Sequence, residues 1–530
     1  MSDARESGFR LHRGAGLRIL LTAAEAFPAF EEAFLQARHE IWAGFRIFDL
    51  DTRLRSDAAR RIGATWFDLL VHVLRRGVAV HMFISDFDPV ARPALHRMTW
   101  RTIRRAGAAR AAAGPGARLV AVAATHPARM GWLPRLLVWP LARRRLAAEA
   151  ARLNALAPAR RAAALEEMPG LAGRLRLGAG GRLGVPLWPP CPVVPATHHQ
   201  KVAVFDRRLL YVGGLDLDER RHDDPGHRRP GGETWQDLQI LTDGPAVAEA
   251  QRHMESFLDI TAGRAAPQPA RHILRTLSAP ARGWPGRAFA FGPRPVETGI
   301  LAAHVALAGR SRRLIYLETQ FLRDTRLARR LARIGAARPG LELILVLPAA
   351  PEDVAFDASD DLDARHGERL QARCIRLLRR GFGRRFFAFA PAQPRRHDPA
   401  RDGSCPRACH HGAPLVYIHS KISIFDRDAA IVSSANLNGR SLRWDTELGL
   451  ALRGRAEVEA LRRRVFSHWL PPDAGPQFLA PQTALAAWRA LAIDNARRPP
   501  EQRRGFLLPF DLAATDDWAG QLPGLPEEIV

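Results

Sequence analysis

The sequence predicts an α/β fold in which one structural unit occurs twice. The motif His-x-Lys-x-x-x-x-Asp appears at His199 and again at His419. Upstream of each copy, apolar strand patterns alternate with amphipathic helical patterns, an order that favours a sheet covered by helices. A length of 530 residues suggests two to four domains at roughly 100–200 residues each.

The composition limits the classes of function. With 47% hydrophobic and 25% charged residues, the chain can fill a large core and is not globally disordered. A net charge of +25 favours phosphate-rich partners, either nucleic acid or an anionic membrane surface. Four cysteines argue against a disulfide-stapled scaffold. The polar start and the absence of a run of 18 apolar residues predict a cytoplasmic protein without a signal peptide or a membrane-spanning helix.

Lysine is the rarest basic residue in this chain. Lys201 and Lys421 are the only lysines among 79 Lys and Arg residues. Where either cation would serve, this composition has arginine, so a remaining lysine indicates a place where a planar guanidinium cannot replace a compact ammonium. Both lysines fall in the repeated motif, which makes coincidence a poor explanation.

The two motif copies continue to match downstream. The first reads HHQKVAVFDRRLLYVGGLDLDER and the second IHSKISIFDRDAAIVSSANLNGR. Alternation along a strand places His and Lys, two residues apart, on one face. The apolar residues that follow predict a buried strand, and Asp206 and Asp426 fall at its end. Each copy therefore offers an imidazole, an ammonium and a downstream polar residue to one small anion.

The repeat extends upstream but the two halves differ in length. RHEIWAGFRIF at 38–48 matches RRLIYLETQFL at 312–322. The first half has about 54 more residues before its motif, which we place in an insertion at about 101–195. A segment rich in Pro, Gly and Ala predicts a boundary near residue 265, and a tail is expected after about residue 475.

The insertion contains the segment RMGWLPRLLVWPLARRRL. Tryptophans and leucines flanked by Arg135 and by Arg143–Arg145 are typical of a helix that binds a membrane surface. The alternative is a cap over the active site with its apolar face buried. Pro134 and Pro140 predict that a single long helix is interrupted here.

The paired motifs resemble the signature of the phospholipase D superfamily, and the similarity extends over roughly residues 15–470. The resemblance implies two similar α-β-α sandwich halves related by a pseudo-two-fold axis. We therefore predict an N-terminal half at 1–265, a C-terminal half at 266–475 and a tail at 476–530. It also implies the catalytic residues, which are His199, Lys201, Asp206, His419, Lys421 and Asp426.

Other residues match supporting positions of the family. Family members have an acid that hydrogen-bonds a catalytic histidine, and Asp237 and Glu447 are the candidates; which acid faces which histidine stays open. The resemblance places Gln320, with Glu318, on the pocket floor. The remaining predicted supporting residues are Ser434, Asn436, Gly214 and Asp216, the last of which departs from the asparagine of many members. His198 has the wrong strand parity to join the site and is interpreted as structural.

The resemblance implies phosphodiester transfer through a covalent phosphohistidine, with His199 as nucleophile and His419 as general acid and base. The favoured interpretation is a phospholipase D that hydrolyses a glycerophospholipid to phosphatidic acid and a head-group alcohol. A cardiolipin synthase or other phosphatidyltransferase is the first alternative, because it would use the same intermediate. A nuclease and a non-catalytic lipid-binding scaffold are further alternatives.

The expected partners are a phospholipid substrate and, peripherally, an anionic membrane surface. Nucleic acid is not favoured, and no obligate protein partner is implied. No cofactor or metal is expected, because an imidazole supplies the nucleophile. Cys405, Cys409, His410 and His411 have a spacing that fits no common zinc site. The acidic stretch APEDVAFDASDDLDARHGERL is interpreted as a loop at the pocket rim rather than a calcium site.

The two lysines provide a direct test. Lys201→Arg or Lys421→Arg keeps the charge but replaces a compact ammonium with a wide planar group, which would displace phosphorus relative to the nucleophile. A displacement of about 1 Å costs on the order of 100-fold in rate, so we expect kcat to fall at least that far with KM changed much less. Steady-state kinetics on a phosphodiester substrate would measure this, and wild-type kcat in both variants would contradict it.

Overall fold

Twenty strands occur in the computed structural model, which describes residues 16–357, 361–520 and 526–529. In chain order they are β1 (Arg18–Leu21), β2 (Glu40–Phe45), β3 (Ala79–Asp86), β4 (Leu119–Thr125), β5 (Arg176–Leu177), β6 (Leu183–Gly184), β7 (Val202–Phe205), β8 (Leu209–Gly213), β9 (Leu238–Thr242), β10 (Ile273–Ala279), β11 (Arg294–Thr298), β12 (Leu314–Thr319), β13 (Glu342–Val346), β14 (Phe386–Pro391), β15 (Cys409–His410), β16 (Ala413–Pro414), β17 (Lys421–Phe425), β18 (Ala429–Ser433), β19 (Glu447–Leu452) and β20 (Leu507–Pro509).

The helices lie between these strands. In chain order they are α1 (Thr22–Gln36), α2 (Asp57–Arg60), α3 (Trp66–Arg75), α4 (Pro93–Ala113), α5 (Trp132–Asn154), α6 (Pro158–Glu166), α7 (Pro169–Ala172), α8 (Pro245–Thr261), α9 (Gly283–Phe289), α10 (Gly299–Arg310), α11 (Thr325–Ala336), α12 (Glu352–Ala355), α13 (Leu362–Phe382), α14 (Pro399–Asp402), α15 (Gly439–Arg443), α16 (Arg455–Trp469), α17 (Ala484–Arg497) and α18 (Leu512–Trp518).

Two mixed sheets with matching strand order form the frame. The first has the order β1-β9-β8-β7-β2-β3-β4, and the second β11-β10-β19-β18-β17-β12-β13-β14-β20. In both, the motif strand (β7 or β17) lies antiparallel to a central strand (β2 or β12), which pairs in parallel with the next one. The predicted α/β fold of two similar halves is confirmed.

The apolar motif strands are buried on both faces, because each sheet packs against helices on one side and against the other sheet on the other. Val202 and Val204 share a core with Ile422 and Ile424 of the opposite half. Their neighbour Phe205 instead packs with the helices that cover the outer face of its own sheet. This two-sided burial explains why the strands read as continuous apolar runs.

The insertion begins later than predicted. β4 belongs to the first sheet, since it pairs with β3 from Val80↔Leu119 onwards, and α4 packs against these two strands. The prediction from residue 101 was wrong because α4 is rich in Arg and Ala and buries its small Ala106 and Ala109 rather than a strongly apolar stripe. α5–α7 and the β5–β6 ribbon then form a small unit with its own apolar cluster, which includes Leu146, Leu153 and Leu171.

α5 is one continuous helix, so the predicted interruption at the prolines is also wrong. Pro134 lies in the first turn of α5, where a backbone N–H has no intrahelical partner to lose. Pro140 lies inside the helix and removes one hydrogen bond. Packing of the following turns through Ala142, Leu146 and Ala150 keeps the helix intact.

The C-terminal residues that we predicted as a tail complete the second half. β20 adds to the edge of the second sheet, antiparallel to β14. α17 packs beside it and buries Trp488 completely. Within the described part of the chain, no helix is both long and apolar enough to cross a membrane.

Candidate active site

The site forms where the two halves exchange backbone hydrogen bonds just before the motif strands. The His199 amide donates to the Thr446 carbonyl at 2.9 Å, and the Thr446 amide donates to the Thr197 carbonyl at 2.9 Å. The pseudo-symmetric pair joins the His419 amide to the Gln236 carbonyl at 2.8 Å. Each histidine therefore enters its strand alongside the acid-bearing segment of the other half.

This crossing decides which acid faces which histidine. The Nδ1 of His199 lies 3.0 and 3.1 Å from the two carboxylate oxygens of Glu447 in the second half. The Nδ1 of His419 lies 2.6 Å from Oδ2 of Asp237 in the first half. A carboxylate on Nδ1 fixes the proton there and leaves Nε2 with its lone pair. Both acids are fully buried.

The two lysines lie beside the histidines and are themselves buried. The Nζ of Lys201 donates to the backbone carbonyl of His199 at 2.7 Å and lies 3.2 Å from its Nε2. The Nζ of Lys421 donates to the carbonyl of His419. Lys201 has no exposed surface, so its ammonium depends on nearby carboxylates, of which Asp216 is 3.9 Å away.

Burial and mutual repulsion shift the pKa of these groups strongly. Burial, followed by the neighbouring lysines, lowers the pKa of His199 and His419 well below the usual value, so both are neutral in the free protein. Burial raises the pKa of Asp237 to about 6 and lowers that of Lys421 to about 7. The pKa of each histidine is lowered by the lysine of the other half as well as by its own. The two motifs therefore act on one electrostatic site.

The small residues after the motifs make room for the acids. A Cβ on Gly214 would lie 2.2 Å from Oδ1 of Asp237. In the other half, Ser434 occupies the matching place, and its hydroxyl donates to Oε2 of Glu447 at 2.5 Å. A glycine beside the short aspartate and a serine beside the longer glutamate therefore support the two acids differently.

The predicted polar residues form a connected layer near the second motif. Nδ2 of Asn436 donates to Oε1 of Gln320 at 3.1 Å, and Nε2 of Gln320 donates to the Tyr417 hydroxyl at 2.8 Å. Asp216, at the position matching Asn436, accepts from the Ile47 amide at 2.9 Å, and its second oxygen has no hydrogen-bond partner. Asp216 therefore supplies negative charge beside Lys201, which an asparagine would not.

The prediction that Glu318 lies on the pocket floor is corrected by its position in the core. It is fully buried and accepts hydrogen bonds from the Tyr316 hydroxyl at 2.5 Å, from Trp469 Nε1 at 2.7 Å and from the Ser420 hydroxyl. These three hydrogen-bond partners belong to the core of the second half. Glu318 thus holds the residue between His419 and Lys421 and does not face a substrate.

Asp206 and Asp426 also require correction, because they lie at the far ends of their strands from the histidines. Asp206 accepts hydrogen bonds from the amides of Arg38, His39 and Glu40 at 2.7–2.9 Å. Asp426 does the same for the amides of Arg312, Arg313 and Leu314, which lead into β12, at 2.7–2.8 Å. At about 3.3 Å per residue, five residues separate each from its lysine by roughly 16 Å. Their position indicates structural anchors for the central strands.

Two residues near His419 escaped the sequence analysis. The Trp235 ring lies 4.7 Å from the His419 ring, measured between centroids. The guanidinium of Arg221 stacks on the same Trp235 ring, with Cζ 3.6 Å from its centroid. The tryptophan–acid pattern before Asp237 could have indicated Trp235, whereas Arg221 is one of 77 arginines and carries no distinguishing signal.

His198 and the cysteine–histidine group lie outside this set. His198 is buried, with Nδ1 2.8 Å from the Thr446 hydroxyl, which fits its structural interpretation. Cys405 Sγ lies 3.2 Å from the Val354 carbonyl, and His410 Nε2 3.0 Å from that of Pro509. Among the residues that the structure describes, no cluster of three or more His, Cys, Asp or Glu side chains could hold a metal ion. Part of the acidic stretch, 358–360, lies outside the described residues.

Comparison with known proteins finds a family match over the second motif copy. Residues 307–469 match the family described as "Cardiolipin synthase, PLD-like domain". Cardiolipin synthase A of Pseudomonas putida strain F1 is 25% identical over 277 residues, which is 51% of this chain and 48% of the relative. The enzyme of that name from strain KT2440 is 25% identical over 256 residues, 48% of this chain and 43% of the relative. The chain thus spans about half the length of the curated relatives it matches.

A solved structure of phosphatidylserine synthase from Haemophilus influenzae Rd KW20 aligns with a TM-score of 0.47 at 12% identity. The alignment covers 85% of this chain and 86% of that one.

The duplicated sheet brings together one histidine and one lysine from each half. This arrangement defines the class of proteins that build one site from two copies of the His-x-Lys motif. The family match and the relatives extend this to a particular family. These findings place residues 307–469 in the PLD-like domain family and support the predicted resemblance to the phospholipase D superfamily.

The pKa shifts predict a narrow, bell-shaped pH profile of kcat/KM. Asp237 can support a charged His419 only when ionised, so activity should rise as pH passes the pKa of about 6. Lys421 loses its charge as pH passes about 7, so activity should then fall. Asp237→Asn should lower the rate and remove the acid limb. A flat profile for the wild type between about pH 5 and 9, measured with a water-soluble phosphodiester, would contradict this.

The corrected roles of Asp206 and Asp426 make a second prediction. Replacing either aspartate by alanine leaves three backbone amides without their acceptor, which should lower the free energy of unfolding by about 1–3 kcal/mol. Because neither carboxylate reaches the histidines, kcat below the melting temperature should change less than about threefold. Denaturant unfolding and kinetics on the same preparations test this. A fully folded variant whose kcat falls with those of the histidine variants would refute it.

Proposed function

We propose that the protein is a phosphatidyltransferase, which cleaves a glycerophospholipid phosphodiester, keeps the phosphatidyl group on a histidine and passes it to a lipid alcohol. One observation carries the proposal: each histidine is held by a buried carboxylate of the other half, so that two oriented imidazoles and two lysines share one site. Such a site fits double displacement at one phosphorus atom.

In the first step, Nε2 of His199 attacks phosphorus. A P–N bond forms as the bond from phosphorus to the head-group oxygen breaks, and His419 gives a proton to that oxygen. Both histidines are neutral in the free protein, so His419 must take up a proton when the substrate binds. The negative charge of the phosphodiester raises the pKa of both imidazoles and makes this uptake favourable. Because the two titrate as a pair, neither has a separate pKa in the complex.

The different acid contacts support these roles. His419 lies 2.6 Å from Asp237, a short contact that suits the histidine that carries a positive charge. His199 lies 3.2 Å from the ammonium of Lys201 at the nitrogen that attacks. That ammonium favours neutral His199, which is the nucleophilic form. Lys201, Lys421 and Asn436 would then bind the non-bridging oxygens and stabilise the charge that develops on them.

In the second step, His419 removes a proton from the incoming hydroxyl, whose oxygen displaces His199 from phosphorus. A lipid alcohol as acceptor gives a phosphatidyl transfer product, whereas water gives phosphatidic acid. The sequence alone favoured hydrolysis. The match to the cardiolipin synthase family and to relatives named cardiolipin synthase A supports transfer instead. Phosphatidylglycerol, which carries both a phosphodiester and free hydroxyls, is the proposed substrate.

Product analysis with phosphatidylglycerol vesicles as the sole substrate tests this proposal. We expect cardiolipin and free glycerol, with phosphatidic acid as a minor product. Phosphatidic acid as the main product would overturn transfer and restore hydrolysis. His199→Ala and His419→Ala should each remove essentially all turnover, while the exposed His39→Ala serves as a matched control. Acid quenching followed by peptide mass spectrometry should place the covalent phosphatidyl group on His199, and its recovery on His419 would reverse the two roles.

A further inference from the structure

We propose that an exposed apolar surface built from the insertion and the connection between the halves docks on an anionic lipid bilayer. This rests on the proposed function in one respect, namely that the substrate is a bilayer lipid. We call the surface the docking patch. Its members are large apolar side chains with exposed fractions of 37–71%, namely Trp132, Leu133, Leu137, Leu141, Leu187, Trp188, Trp284 and Phe289.

Contacts between three distant chain segments bring the docking patch together. The rings of Trp132 and Trp188 lie 5.1 Å apart, and those of Trp284 and Phe289 lie 5.5 Å apart. The Gly131 amide donates to the Ala290 carbonyl at 2.7 Å, which joins the start of α5 to the end of α9. Scattered exposed apolar residues are ordinary, but a contiguous group of this size marks an interaction surface.

α5 divides its apolar residues between two faces. Leu133, Leu137 and Leu141 recur every four residues and face solvent along the first part of the helix. Leu146 and Leu153 are buried in the apolar cluster of the insertion. Of the two interpretations of this segment, the buried cap therefore describes only the second part of α5, and the outer leucines are free to contact a partner.

The charge around the docking patch favours an anionic bilayer. Three segments supply the docking patch, and they contain arginines but no Asp or Glu. They are residues 128–148, 168–205 and 279–296. Arg143 and Arg144 on α5, and Arg282 and Arg287 at α9, are exposed, and no described carboxylate lies within 4.0 Å of them. Tryptophan and arginine around leucine is the composition that suits the head-group region of a bilayer. A second copy would instead bring like charges together.

Arg145 does not join this rim. It lies 3.6 Å from Asp361 and 3.9 Å from Asp363, and so ties α5 to the second half. Arg145 was predicted, with Arg143 and Arg144, to contact a membrane, but in the structure it contacts these two aspartates instead.

The docking patch is close to the active site. The Met130 amide donates to the Val193 carbonyl at 3.0 Å, and Val193 precedes His199 by six residues, a span of at most roughly 20 Å. On the other side, a Cβ on Gly292 would lie 2.7 Å from the Trp444 ring, three residues before Glu447. A bilayer bound at the patch would therefore present its head groups near both catalytic segments.

Vesicle co-sedimentation of the full chain, with phosphatidylcholine vesicles and with vesicles that also contain phosphatidylglycerol, tests the docking patch. Trp188→Ser combined with Trp284→Ser should lower the partition coefficient more than tenfold on both vesicle types. Turnover of bis(p-nitrophenyl) phosphate, a water-soluble diester, should stay within about twofold of wild type. Ile62→Ser, another exposed apolar position, is the matched control and should bind like wild type.

A charge variant separates the rim from the apolar centre. Arg282→Gln combined with Arg287→Gln should weaken binding about fivefold per arginine on vesicles with phosphatidylglycerol and little on pure phosphatidylcholine. Arg497→Gln, an exposed arginine on α17, is the control and should bind like wild type.

Three outcomes would overturn the proposal. The wild-type chain does not bind vesicles, or the double tryptophan variant binds them as well as wild type does. In the third outcome, light scattering shows that the wild type is a dimer and that the variant is a monomer. The last would assign the patch to a second copy. Vesicle binding that depends on the patch, together with no lipid turnover, would refute the proposed function and leave the docking patch standing.

Discussion

The site depends on two buried carboxylate–imidazole contacts that cross between the halves. Glu447 holds His199 and Asp237 holds His419, and in each case acid and base come from different copies of the repeat. Neither half alone can orient its own histidine. The backbone bonds between Thr197 and Thr446, and between His419 and Gln236, set this crossing before any side chain is placed. Duplication of the fold is therefore a condition for the chemistry and not only a way of building a larger protein.

Burying two lysines is unfavourable unless negative charge lies close by. Asp216, Asp237 and Glu447 provide it, and their attraction opposes the desolvation that lowers the pKa of Lys421 to about 7. Two of these acids also contact the neutral histidines, so the free site holds three carboxylates, two lysines and two neutral imidazoles. A phosphodiester anion completes the set. The buried lysines, together with the proton that His419 would take up, thus give the site affinity for the charge that a phosphate brings.

Much of this arrangement was predictable from the sequence, and what was not has a physical reason. The repeat, its strand order and the importance of the two lysines follow from spacing and composition. The pairing of acids with histidines does not, because it depends on how two distant strands cross. Asp206 and Asp426 looked catalytic because they belong to the motif, yet a motif records proximity in sequence, and five residues of extended strand carry a carboxylate about 16 Å away. The edge strand Leu507–Pro509 was missed because three apolar residues form no period.

Whether such a site transfers or hydrolyses depends on what reaches the phosphohistidine, since both reactions share the first step. In the proposed mechanism the two histidines treat water and an alcohol alike, because His419 would remove a proton from either. Selection must then come from local concentration. A protein held on a bilayer by a surface whose chain segment leads into the nucleophile meets lipid hydroxyls at a high density, while the buried His199 and His419 expose little of their surface to water. The insertion, which lies outside the repeated frame, would in this way influence the outcome of a reaction that the frame itself leaves open.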